Sequence, residues 1–464
     1  MAISRQRRAR FSPDLSFVLL TALLAILLLT GGASREDVSG QILSRGAAWI
    51  AIVVAALFAR RPRIAEAKGA ALLLGALILL CVAQLIPLPP SIWHALPGRA
   101  AFIDPLISPP YLWRPWSLVP GATVNALFSL VVPLAVLVLA SGMREKQKSW
   151  IPVAVLAIIA LSLLVGLLQF TGAGIVNPFV NGTPGAVDGM IANRNHFALF
   201  LAIGLLIAPV WGVGAGNASR LRAPIALGFV LLLVLTILAS GSRAGIALGV
   251  VALALGFAMS RRGMKSALRR YPRWTFPAIG AGIVALIAMF VLASFATGRA
   301  VSIDRIVSDD AGADMRVRGL PIVLAMIHTY FPFGSGIGSF DPIFRMHEPF
   351  ALLKPTYFNH AHNDFLEIVL TAGLPGLLLL VAAITWWGWR SLAAWQGESV
   401  LPKLGSSTLL LILLASAVDY PARTPIIMAI TTIAAIWLGG AGRGGEDEDG
   451  ITSEASLPST GRKL

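Results

Sequence analysis

The chain has 464 residues, 56% of them hydrophobic and only 13% charged, with a formal net charge of +15. Soluble domains carry about 25% charged residues, so this composition excludes a water-soluble globular protein and points into a bilayer. The positive charge is spread in short runs between apolar segments, which reports membrane topology rather than a nucleic-acid partner.

A spanning helix needs about 20 mostly apolar residues. The opening "MAISRQRRARFSPDLSFVLLTALLAILLLTGGAS" has the basic start and apolar run of a signal peptide. The many apolar segments behind it make it the first transmembrane helix instead. Taken in order, the length rule predicts twelve spans, near residues 15–31, 47–59, 69–87, 122–141, 150–171, 196–212, 223–240, 243–259, 274–296, 365–389, 405–419 and 425–440. Cys81, the lone cysteine, falls inside the third, so no intrachain disulfide or cysteine cluster is available.

With a cytoplasmic N-terminus, "RQRRAR" (5–10), "RRPRIAEAK" (60–68), "REKQK" (144–148), "RLR" (220–222) and "RRGMKSALRRYPR" (261–273) all fall inside. That bias places both termini in the cytoplasm. The acidic, Ser/Thr-rich tail, residues 441–464, has the composition of a disordered segment. Three long stretches then face out. Residues 88–121 are rich in Pro and Trp and are expected along the membrane interface, residues 172–195 end in "ANRN", and residues 297–364 form the largest loop.

Polar residues converge on that outer side. Arg243 stands between two spans, Asn193, Asn195 and His196 open another, and Asp419 and Arg423 lie in the short turn "DYPART". Arg316, Arg318, His347, His360 and His362 belong to the large loop. Span centres hold almost no ionisable groups, which disfavours an ion-coupled transporter.

The string "HAHND" (360–364) allows three readings. In an extended strand His360 and His362 would share a face and could ligate zinc, with Asp364 as third ligand. Alternatively, Asp364 caps the helix that follows. The third reading joins histidine to the arginines: guanidinium groups hold phosphate oxygens bidentately, and a histidine serves as base or phosphate donor near neutral pH. No H-E-x-x-H or cysteine pair occurs, and the outer segments hold no D-x-D carboxylate pair to support a metal. Farther along, Gly373 and Gly376 are spaced to let another helix approach, and Pro375 is expected to bend the helix.

The string "HNDFLEIVLTAGLPG" (362–376) resembles the H-[NSQ]-x9-G-x-x-G signature of the O-antigen ligase and polymerase superfamily of bacterial envelope enzymes. "NRNHFALFL" (193–201), "LASGSRAGIALG" (238–249), "MRVRGLPIVLAMIHTYFPFGSGIGSF" (315–340) and "ASAVDYPARTP" (415–425) resemble further family segments in the same order. The resemblance implies an all-α membrane protein, a bundle of about twelve transmembrane helices with a large, partly helical periplasmic loop. It implies a metal-independent, cofactor-free glycosyltransferase of the inner membrane, whose donor is a glycan on undecaprenyl diphosphate and whose acceptor is a saccharide or lipid-linked hydroxyl. In that reading Arg243 and Arg316 bind the diphosphate, and His362 acts as acceptor base or as a further phosphate contact. Arg318 competes with Arg316 for the family position. Asn193, Asn195, His360, Asn363, Asp419 and Arg423 are candidates for substrate binding. Ligase and polymerase share this donor and stay unseparated, and a flippase for lipid-linked saccharides is the rival from another class.

Overall fold

A computed structural model describes residues 13–103, 111–213, 219–268, 274, 281–282, 285, 315–353 and 358–440. The apolar runs are helices. The first group comprises α1 (Leu15–Thr30), α2 (Ser39–Phe58), α3 (Lys68–Gln84) and α4 (Pro120–Ser141), the last made of two pieces that meet at Leu130. α5 (Ile151–Phe170), α6 (Arg194–Gly212), α7 (Ser219–Ser240) and α8 (Arg243–Leu268) follow. After them come α9 (Met315–Tyr330), α10 (Phe340–His347), α11 (Asp364–Gln396), α12 (Val400–Ser416) and α13 (Pro425–Gly439).

Eight of the described helices, α2 to α8 and α11, are long and apolar enough to cross a membrane, while α1, α12 and α13 are shorter apolar helices. Each coincides with an expected span. The remaining one, 274–296, lies almost wholly outside the described residues, so twelve crossings are not established. The 297–314 part of the large loop and the 441–464 tail lie outside them too.

α6 is the central helix, packed by α5, α7, α8 and α12 and buried along most of its length. Lipid tails are as apolar as leucine, so helices in a bilayer associate through close packing of small residues. Gly245 of α8 shows this: a Cβ there would stand 2.3 Å from the Ala198 Cβ of α6. Large side chains such as Ile42, Ile50, Leu57, Leu79 and Leu378 face outward, as a lipid-bathed surface requires.

The Pro/Trp segment does more than lie along an interface. Its ends pair as two short antiparallel strands, β1 (Pro87–Leu88) and β2 (Arg114–Pro115). Arg99 is buried between them and donates to the Trp116 carbonyl at 2.7 Å, while the Trp116 indole donates to Phe333 at 3.0 Å. The segment is therefore docked on the loop after α9.

That loop explains the break in α11. Gly373 has φ 61° and ψ −148°, a conformation essentially confined to glycine. Its missing side chain makes room for residues 332–334, since a Cβ would lie 2.2 Å from the Pro332 carbonyl oxygen. The unwound turn has its backbone groups satisfied by the loop: Ser335 N donates to Leu370 O, Gly336 N to Thr371 O, and Leu374 N to Pro332 O. Gln84 of α3 ties both partners, donating to Thr371 O and accepting from Ile337 N. Irregular backbone at membrane depth survives only when protein covers it in this way. The expected bend at Pro375 is thus centred two residues earlier, on Gly373. Proline contributes by lacking the N–H that Thr371 O would otherwise accept. At Gly373 the expected helix–helix role is likewise replaced by a helix–loop contact, whereas the atoms nearest a Cβ at Gly376 belong to Ala372 and Ile368 of its own helix. Gly373→Ala is expected to destabilise the protein by about 1–3 kcal/mol from backbone strain alone, read as a lower melting temperature in detergent.

Candidate active site

Six chain segments terminate at one end of the bundle: the starts of α6, α8, α9 and α11, the end of α7, and the turn between α12 and α13. At their meeting point lies Asp419, only 2% exposed. Its Oδ1 is 3.1 Å from His362 Nδ1 and 3.6 Å from His196 Nε2, and it also accepts from Tyr420 N. Its Oδ2 accepts from Asn195 Nδ2 at 2.7 Å, from Asn193 Nδ2 at 3.4 Å and from Arg316 Nη2 at 3.3 Å. Arg316 donates in addition to the Val418 carbonyl, and its side chain remains 34% exposed.

Local sequence sets each arm. Asn193 caps α6 by accepting from Asn195 N, which presents both amides to Asp419. The Ser242 hydroxyl, in the tight turn between α7 and α8, donates to Asn195 Oδ1 at 2.8 Å. Arg243 follows as the first residue of α8, with its side chain exposed. His362 has φ 50°, a left-handed conformation uncommon for a residue with a side chain. Asn363 beside it caps α11 by accepting from Leu366 N and donates to Ala417 O. Backbone strain of this kind, about 1–3 kcal/mol, clusters at functional sites.

Burial opposes ionisation of Asp419, but the hydrogen bonds and charges of His196 and His362 outweigh it and hold the carboxyl well below its usual 3.8. A depressed folded-state value contributes stability above the unfolded value, and that contribution disappears as pH falls through the folded one. Asp419→Asn is therefore expected to melt lower than wild type at neutral pH. The gap should narrow only in acid below pH 3.8, as melting curves across that range would show. Burial, helped by the Asp419 charge, pushes the Tyr420 hydroxyl up to about 12, so the phenol stays protonated.

A second cluster adjoins the first. Glu367, fully buried one turn into α11, accepts from Ala361 N and lies 3.0 Å from His360 Nδ1 and 3.2 Å from Arg423 Nη1. Arg423 also donates from Nε to Asp364 Oδ1, whose other oxygen accepts from Ser416. The Tyr420 ring separates the two clusters, 4.3 Å from the His360 ring and 4.9 Å from that of His362.

These positions correct the extended reading of residues 360–364. His360 and His362 do not share a partner: the turn at His362 sends one ring to Glu367 and the other to Asp419. Asp364 is not the helix cap, which is Asn363; it is a counterion of Arg423. Among the described residues no group of three or more His, Cys, Asp or Glu is arranged to hold a metal ion. Arg316 and Arg318 separate cleanly, because Arg318 is exposed and donates to the Ala351 carbonyl, away from Asp419. Arg423 is occupied by two carboxylates inside the fold. His196, named only among the converging polar residues, and Tyr420 of the "DYPART" turn join the site. Glu367 joins it without having been singled out, although a lone carboxylate in an apolar run is a signal.

Residues 228–381 match a family model described as O-antigen ligase. That third of the chain is similar to O-antigen ligase. Together with the apolar helices, the match supports a membrane protein of polysaccharide biosynthesis. The matched stretch runs from the middle of α7 to the middle of α11 and includes Arg243, Arg316, His360, His362 and Glu367, while Asn193, Asn195, Asp419 and Arg423 lie outside it. No curated protein matches the chain.

Proposed function

We propose that the chain is a glycosyltransferase that takes a glycan from undecaprenyl diphosphate at the periplasmic face and joins it to an acceptor hydroxyl. One observation carries this reading: Arg316, His362 and the Asn193–Asn195 amides, from three separate elements, meet on the single buried carboxylate of Asp419, with Arg243 opening the adjacent helix. A diphosphate leaving group develops negative charge as its bond to the anomeric carbon breaks. Preorganised cations at that point stabilise the transition state more than the ground state, which is where rate is gained. Arg316 and Arg243 supply that charge. Asp419 fixes the Arg316 fork and the His362 ring, so neither has to reorganise during the reaction. Cationic neutralisation makes protonation of the leaving group unnecessary, and no divalent metal is required. The excess of Lys and Arg at the opposite ends of the spans supports a periplasmic position for this end.

Deleting the gene and analysing surface polysaccharide tests the function. Shortened chains indicate a polymerase, and lipid-linked polymer accumulating without surface attachment indicates a ligase. Unchanged surface polysaccharide, with no accumulated lipid-linked glycan, would sink the proposal.

A further inference from the structure

The two histidine–carboxylate pairs face different spaces. His362 is tied to Asp419 and thus to Arg316. His360 instead lines a cavity of about 560 Å³ enclosed chiefly by α3, α4, α11 and α13. Lining positions on α11 run from Asp364 to Trp387, roughly 34 Å at 1.5 Å per residue, close to the hydrocarbon depth of about 30 Å. Its lining is mostly apolar, with Leu73 and Leu77 of α3 and Leu380 and Ile384 of α11 among it, and its polar lining includes His360, Asn359 and Asn125. A molecule with a sugar head and a long hydrocarbon anchor fits that division of surface.

Resting on the transferase reading above, we propose that His360, held by Glu367, is the general base for a lipid-anchored acceptor that enters through this cavity. With Nδ1 turned to the Glu367 carboxylate and donating to it, the neutral His360 ring keeps a lone pair on Nε2. Glu367 is itself fixed by Arg423 and by Ala361 N, so the ring is oriented as a base with a supporting carboxylate should be. The acceptor O–H proton passes to Nε2 and the acceptor oxygen bonds to the anomeric carbon. The carbon–oxygen bond to the carrier breaks, and its electron pair leaves on the diphosphate. His362, across the Tyr420 ring, is left to the donor side. The titratable and charged groups around His360 are Glu367 and Asp364 of α11 and Tyr420 and Arg423 of the turn. Across the cavity stand Arg45 of α2, Asp341 of α10, and Arg35 and Glu36 before α2.

The test uses the full chain in lipid nanodiscs, with an undecaprenyl-diphosphate-linked glycan as donor and a lipid-linked saccharide as acceptor. His360→Ala is expected to lower kcat by about 10²–10⁴-fold, to abolish the acidic limb of the pH–rate profile, and to regain activity with added imidazole. Its affinity for undecaprenyl diphosphate should stay at the wild-type value, whereas His362→Gln should weaken that affinity. Leu77→Trp, which narrows the cavity, should raise KM for the acceptor and not for the donor. Retention of the acidic limb in His360→Ala, lack of imidazole rescue, or a donor affinity reduced as in His362→Gln would overturn the assignment of the base. A rise in donor KM in Leu77→Trp would overturn the assignment of the cavity. Wild-type protein without transfer would instead sink the transferase reading itself.

Discussion

Arg316→Ala is expected to lower glycan transfer by about 10²–10³-fold, the usual consequence of removing one preorganised charge from a developing anion. Arg318→Ala, two residues along, should stay within about twofold of wild type, because an exposed side chain away from the site changes little. The contrast is sharp because both arginines belong to the same helix and the same motif. Only Arg316 turns toward Asp419; Arg318 reaches back to Ala351. Transfer assays on membranes carrying equal amounts of each variant decide it. Equal losses would mean that the site is not organised around Asp419.

The second large effect is on stability. Arg423 lies between Asp364 and Glu367, and its guanidinium is held above its ordinary value: burial opposes the charge, but the Glu367 and Asp364 carboxylates outweigh it. Arg423→Ala leaves two buried carboxylates without a cation, and breaking a buried pair in this way costs about 3–5 kcal/mol. Replacing all three groups together, Arg423→Met with Asp364→Asn and Glu367→Gln, should recover much of that loss, since no stranded charge remains. Thermal melting of the detergent-solubilised variants compares the two. A triple variant no more stable than Arg423→Ala would show that the pairing itself, rather than charge compensation, holds the turn.

The helices were legible because the bilayer imposes one length on them. A run of about 20 apolar residues has few alternatives in lipid, and α2 to α8 follow from it directly. The break in α11 was harder to read. Proline advertises a kink, so Pro375 drew attention, but the position that unwinds is fixed by residues 332–336, some forty residues away in sequence. No local pattern announces a loop that will dock there.

The site divides in the same way. His362, Arg243 and Arg316 were visible through their motifs. The order among the polar residues was not, because Asp419 reads as one more turn residue until folding brings His362 from 57 positions earlier and Arg316 from 103. The alternation of His360 and His362 misled for a specific reason. A shared face presumes extended backbone, and one left-handed residue is enough to send the two rings to different carboxylates.

Asp419 has a consequence for turnover. Arg316 already has an anion as neighbour, so under the proposed transfer a diphosphate arriving there would compete with a resident counterion instead of occupying a bare cation. A spent lipid carrier would meet the same competitor as it leaves. The built-in carboxylate would then weaken the hold on the used lipid, and so shorten the wait before the next glycan is taken.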